Sequence, residues 1–94
     1  MSFRDNIAEH RYEMLAEGFL SFADYRDVGA DRAVRVILHV ETPVEGRGRG
    51  YASKLMAAIV ADAKERGQKL RASCAFAVAY FKRHPKEVAE VEVA

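Results

Sequence analysis

Apolar and polar positions first alternate along this chain and later recur every three or four residues. Tyr12, Met14 and Ala16 alternate with Arg11, Glu13 and Leu15 until Gly18 breaks the run. Phe19 to Arg26 resumes with aromatics on both parities, Phe19 and Tyr25 on one and Phe22 on the other. This pattern predicts two short strands around an Ala16-Glu17-Gly18 turn, a hairpin. Asp27-Val28-Gly29-Ala30-Asp31 reads as a loop. The stretch from Ala33 to Val40 is the most β-rich in the chain and predicts a central strand. Period two puts Val34, Val36, Leu38 and Val40 on one face, with Ala33, Arg35, Ile37, His39 and Glu41 on the other. Thr42-Pro43 ends it, because proline has no N–H for the ladder.

After Pro43 the period changes. Leu55, Ile59 and Ala63 recur at four-residue spacing beside Ala52, Met56 and Val60, a broad apolar helix stripe that Gly67 terminates after Arg66. Lys69 to Ser73 is a candidate strand, and Phe76 to Arg83 has helical character that His84-Pro85 stops. Met1 to His10 fits either a helix or a strand. The tail from Val88 to Val93 alternates weakly, as an edge strand or a frayed end. The order β-β-β-α-β-α predicts a mixed α/β sheet with helices on its faces. With no repeat, low-complexity tract or linker, residues 1–94 read as one domain.

Composition narrows the function classes. Half of the residues are apolar, too many for a disordered chain. Fifteen basic against fourteen acidic side chains leave a net charge of +1, which argues against nucleic-acid binding by bulk electrostatics. The single cysteine excludes an internal disulfide framework and fits a reducing compartment. No apolar run approaches the roughly 20 residues that span a bilayer, and no signal-peptide pattern opens the chain. These features together lead to the expectation of a cytoplasmic protein without a membrane partner. His10, His39 and His84 show no metal-ligand spacing with Cys74, so no metal is expected.

The chemistry concentrates in Val44-Glu45-Gly46-Arg47-Gly48-Arg49-Gly50-Tyr51-Ala52-Ser53-Lys54-Leu55, between the central strand and the amphipathic helix. Three glycines on alternate positions admit positive φ and let a ligand approach the backbone. The helix N-terminus adds unpaired N–H groups and partial positive charge. Together they predict an anion cradle for phosphate or pyrophosphate. A Gly-Lys-Ser/Thr ending is missing, which argues against a P-loop, and the glycine spacing fits a dinucleotide fold poorly.

Arg47-Gly48-Arg49-Gly50-Tyr51-Ala52 resembles the Arg/Gln-x-x-Gly-x-Gly/Ala signature of the GNAT superfamily of acetyltransferases. His39-Val40-Glu41-Thr42-Pro43 before it, and Cys74 and His84-Pro85 after it, resemble a short single-domain branch sometimes called Yjdj-type. The likeness covers about residues 11 to 85. It departs from the branch at Val40, where threonine is usual, and in a tail without an aromatic ending. Against full-length members the chain is short, without their N-terminal helix pair and final hairpin.

The resemblance implies a mainly antiparallel GNAT-like sheet and transfer of an acetyl group from acetyl-CoA to an amine, on a protein lysine or a small molecule. Backbone amides of Arg49, Gly50, Ala52 and Ser53 are the implied pyrophosphate donors, with Gly48 and Tyr51 in the same loop and Arg47 and Lys54 serving phosphate oxygens. Val40, Glu41 and Thr42 would pair with the pantetheine arm, and Phe76 and His84 would complete the coenzyme contacts. Glu41 is the first choice of base for the acceptor ammonium, with His39 beside it on the same strand face. Cys74, at the start of a helix that favours its thiolate, is either a small buried hydrophobe or an acetyl carrier. Tyr80 is either part of a core stripe or an acid toward the leaving thiolate. A coenzyme-binding module without turnover is the alternative to an enzyme; monomer and dimer are both open.

Overall fold

The computed structural model describes residues 2–93. Its elements in chain order are β1 (Ser2–Asn6), β2 (Arg11–Ala16), β3 (Phe19–Val28), β4 (Val34–Glu41), α1 (Tyr51–Arg66), β5 (Lys69–Ala72), α2 (Ala75–Arg83) and α3 (Pro85–Val88). The five strands form one sheet in sequence order, antiparallel from β1 to β4, with β5 parallel to β4 across the α1 crossover. The mixed, mainly antiparallel α/β class therefore stands as expected.

The ambiguous opening becomes β1, which pairs with β2 from Ser2↔Leu15 to Asn6↔Arg11. Its only large apolar side chain, Phe3, stacks on Tyr12 at 5.6 Å between ring centres. A short 3-10 turn over Ile7–Glu9 follows, capped by Asn6, whose side chain accepts from the Glu9 N–H. Gly67 ends α1 in left-handed conformation (φ 68°), donating to the carbonyls of Ala63 and Lys64 as the sequence predicts. Proline after His84 does end α2, and the same proline then opens α3 at its first position, where a missing N–H does no harm. The tail is packed: Val88 and Val91 are buried, and the Leu70 N–H donates to the Val91 carbonyl at 2.7 Å.

One core gathers Tyr12, Met14, Ala16, Ala23, Tyr25, Ile37 and Leu70 from the sheet with residues of all three helices. By register these sheet residues share one face, so the core lies on that face alone. The opposite face carries Arg4, Glu13, Leu15, Leu20, Phe22, His39 and Glu41.

Strict period two fails inside β4. Tyr25 pairs with Ile37 and Asp24 with His39, so Leu38 is an extra residue, a β-bulge. Ile37 and Val40 consequently both face the core, while Leu38 is exposed. The predicted facial grouping of Leu38 with Val40, and of Ile37 with His39 and Glu41, is corrected by this one inserted residue. The pairing of β4 with β5 also ends at Ile37↔Ala72. Beyond it, the backbone from Leu38 to Glu41 keeps β3 on one side and has no strand on the other.

Candidate active site

The two strands part at a single carbonyl. Ile37 O accepts from the N–H groups of both Ser73 (3.0 Å) and Cys74 (3.3 Å), after which β5 turns into α2 and β4 runs on alone. A cleft of about 490 Å³ opens there, lined by the end of β4 (His39 to Thr42), the loop from Gly46 to Gly50, the first turn of α1 and Phe76 of α2. The expected anion loop and the expected strand edge therefore meet in one cavity, of a size suited to a small-molecule ligand.

The loop leaves Pro43 through a 3-10 turn over Val44–Gly46 and reaches α1 through Gly50. Gly48 and Gly50 have φ of 82° and 80°, which glycine alone adopts without strain, and a Cβ built on either would meet nothing within 4 Å. Both glycines thus border open space. Gly50 is the N-cap of α1 but has no side chain to cap with, so the N–H groups of Tyr51, Ala52 and Ser53 keep no partner from the preceding turn. These free donors and the positive end of a sixteen-residue helix suit a diphosphate. Arg47 ties the loop to the strand, its Nε donating to the Thr42 carbonyl at 3.2 Å. The Thr42 hydroxyl in turn shares a buried hydrogen bond of 3.1 Å with Ser21.

His39 and Glu41 also line the cleft, from the open face of the sheet. His39 Nε2 lies 3.1 Å from Glu41 Oε1, and both side chains are about half exposed. The predicted placement of this pair on one face holds, because both residues follow the bulge.

Other candidates sit elsewhere. Cys74 is the N-cap of α2, and its Sγ accepts from the Ala77 N–H at 3.4 Å; it stands at the strand parting, outside the cleft lining. Tyr80, expected either in a core stripe or as an acid, is buried in the core. Its hydroxyl donates to Glu87 at 2.9 Å, burial and that bond push its pKa up, and it does not line the cleft. His84 stacks on Tyr80 at 4.2 Å and bridges α2 to α3, away from the expected coenzyme contact. Among the expected phosphate ligands, the Arg49 guanidinium lies 5.3 Å over the Phe19 ring, and Lys54 Nζ lies 5.9 Å from the Tyr51 ring centre.

The expectation that all three alternate glycines open onto a ligand is corrected at Gly46, which has no positive φ. A Cβ there would meet Phe19 at 3.0 Å and Tyr51 at 3.3 Å, so the first of the three glycines serves close packing rather than ligand access.

The family model described as GCN5-related N-acetyl-transferase matches residues 11–91. The solution structure of a GCN5-like protein from Staphylococcus aureus superposes with a TM-score of 0.68 at 23% identity, covering 99% of this chain and 88% of that one. A search of curated proteins found no match. None of the helices is long and apolar enough to cross a membrane among the described residues. Strand edge, glycine loop and helix N-terminus meet in one cleft, and the match over residues 11–91 shows that the chain belongs to the GCN5-related N-acetyltransferase family.

Proposed function

We propose that this protein transfers the acetyl group of acetyl-CoA to a primary amine, with the coenzyme in the cleft between β4 and α1. The observation that carries this reading is the coincidence of three features in one cavity. They are open space at Gly48 and Gly50, partnerless amides at the start of α1, and a strand edge abandoned by β5. The amides of Gly50, Tyr51, Ala52 and Ser53 suit the pyrophosphate, with Arg47 and Lys54 within reach of the loop's outer rim. The free edge of Val40, Glu41 and Thr42 suits the amide-bearing pantetheine arm. When bound, the coenzyme supplies an acetyl thioester with a good leaving group.

The chain's own residues handle the acceptor. An ammonium must lose a proton before its nitrogen can attack a carbonyl, and Glu41 is the base that takes it. Glu41 Oε1 lies within hydrogen-bond distance of His39 Nε2, which keeps the imidazole beside this base. Attack of the neutral nitrogen on the thioester carbonyl would form the amide as the C–S bond breaks; the departing thiolate would take the second nitrogen proton and leave as the thiol, while the first proton passes from Glu41 to water. A route in which Cys74 first takes the acetyl group is a second reading. It draws on the position of Cys74, a half-buried free cysteine, at the strand parting.

The test is incubation with acetyl-CoA and a panel of primary amines, with product and intact protein followed by mass spectrometry. Acetylated amine is expected, with Glu41→Gln slower by roughly 100-fold, the usual size of lost general-base catalysis, and coenzyme affinity unchanged. An acetyl adduct on Cys74, together with inactivity of Cys74→Ala, would establish the relayed route. Coenzyme binding without any product across the panel would favour the non-catalytic binding module.

A further inference from the structure

The anion loop is braced from behind by the turn between β2 and β3. The Tyr51 ring, buried at the first position of α1, lies 5.7 Å from the Phe19 ring, and its hydroxyl donates to the Glu17 carboxylate. Gly46 fits against both rings with no room for a Cβ, and Arg49 covers the outer side of Phe19. One cluster thus joins the hairpin to residues at three points of the loop, and Tyr51 itself lines the cleft.

Glu17 is an unexpected residue at its position. Ala16 pairs with Phe19, leaving Glu17 and Gly18 as a two-residue turn with φ of 51° and 83°. Positive φ at both positions belongs to the type I′ turn, which favours Asn-Gly or Asp-Gly. A left-handed glutamate is strained, and asparagine or glycine would largely avoid that strain. The carboxylate reaches across the turn to a phenol 34 positions away, which the shorter turn-forming side chains would not do.

We propose that the Glu17–Tyr51 hydrogen bond is a latch that holds the Gly46–Gly50 loop and the first turn of α1 in their coenzyme-binding shape. Glu17 and Tyr51 are then positioning residues for the coenzyme, acting through the amides beside them. This inference rests on the coenzyme site proposed above. The rival explanation is electrostatic and has the opposite sign. A carboxylate at the rim of a diphosphate site repels the ligand, so removing its charge alone would tighten binding.

The test is calorimetric titration of coenzyme A into the wild-type protein, Tyr51→Phe, Glu17→Asn, Glu17→Gln and the Tyr51→Phe/Glu17→Asn double variant. Tyr51→Phe and Glu17→Asn are each expected to weaken binding about three- to tenfold, the worth of one hydrogen bond. The double variant should lose no more than either alone, since both remove the same bond. Glu17→Gln keeps the reach and an acceptor oxygen, and should stay within about twofold of wild type, less than the loss of a net hydrogen bond. Glu17→Asn puts the preferred residue into the turn, so its melting temperature should hold or rise while affinity falls, a split that a purely structural role does not produce. Unchanged or tighter binding by Glu17→Asn, or additive losses in the double variant, would overturn the latch. Failure of the wild-type protein to bind coenzyme A would instead overturn the site on which the latch acts.

Discussion

The two ends of β4 treat polar groups in opposite ways. Near Val34–Ile37 the strand has neighbours on both sides, and the largely covered guanidinium of Arg35 makes four hydrogen bonds. It donates to both Asp27 oxygens (2.6 and 2.9 Å), to Asp5 (2.9 Å) and to the Tyr12 hydroxyl (2.9 Å), and lies 3.9 Å from the Tyr25 ring centre. Burial alone would lower its pKa, but these partners raise it, so the charge is permanent. From Leu38 to Ser53 the reverse holds: the strand edge lacks β5, two glycines border empty space, and the helix start is uncapped. Unpaired groups are tolerated at this end because they face solvent, where water takes the place of a partner. One end spends its polar groups on stability and the other keeps them for a ligand.

Substitutions at each end should separate these roles. The largest effect is expected from Gly50→Val, whose side chain would stand in the cradle: coenzyme affinity should fall by about 100-fold or more, equivalent to about 2.7 kcal/mol. Gly67→Ala is the control, since Gly67 has the same kind of backbone and open space at the far end of α1. It should lose roughly 1 kcal/mol of stability from strain and keep its affinity, as measured by titration and by chemical denaturation. Equal loss of affinity in both variants would mean that backbone strain, not occlusion, explains Gly50.

Next in size is Arg35→Leu, which leaves the partly buried Asp5 and Asp27 carboxylates without their cation. It should lose about 2 kcal/mol in denaturant unfolding, between the values for exposed and for fully buried ion pairs. Adding Asp5→Asn and Asp27→Asn should recover part of that loss. A stability change below roughly 1 kcal/mol, the range of exposed pairs, would contradict the contrast between the two ends.

The smallest effect concerns Glu13, on the open face. Burial raises its pKa, but hydrogen bonds from Arg11, Arg4 and Asn6 outweigh burial and hold it below the ordinary 4.5. Because the folded value is depressed, its contribution is complete above pH 4.5 and disappears as pH falls through that folded value. Glu13→Gln should therefore be less stable than wild type at neutral pH, with the two stability curves converging in acid. Parallel curves down to acid pH would remove Glu13 from the acid response.

The binding end was the more legible of the two. Glycines on alternate positions between an apolar strand and an amphipathic helix announce their own backbone freedom, and the helix boundaries follow from Tyr51–Arg66 periodicity and Gly67. What period two could not reveal was the bulge at Leu38, since no glycine or proline marks it and an inserted residue looks like any other in the run. Nor did it reveal the Arg35 cluster. Arg35 shares a parity with Ile37 that reads as ordinary alternation, and its partner Asp5 lies 30 positions away on a strand with a single large apolar residue. The Glu17–Tyr51 bond, like the Tyr80–Glu87 bond between α2 and α3, depends on tertiary placement that no local pattern encodes.

Titrating coenzyme A into the isotope-labelled protein and following backbone amide shifts tests the central claim directly. The expected result is a saturable change concentrated at Gly48, Gly50 to Ser53, and Val40 to Thr42, with the Arg35 end still. No change at saturating coenzyme, or a change confined to the opposite face around Arg4, Leu15 and Leu20, would contradict it.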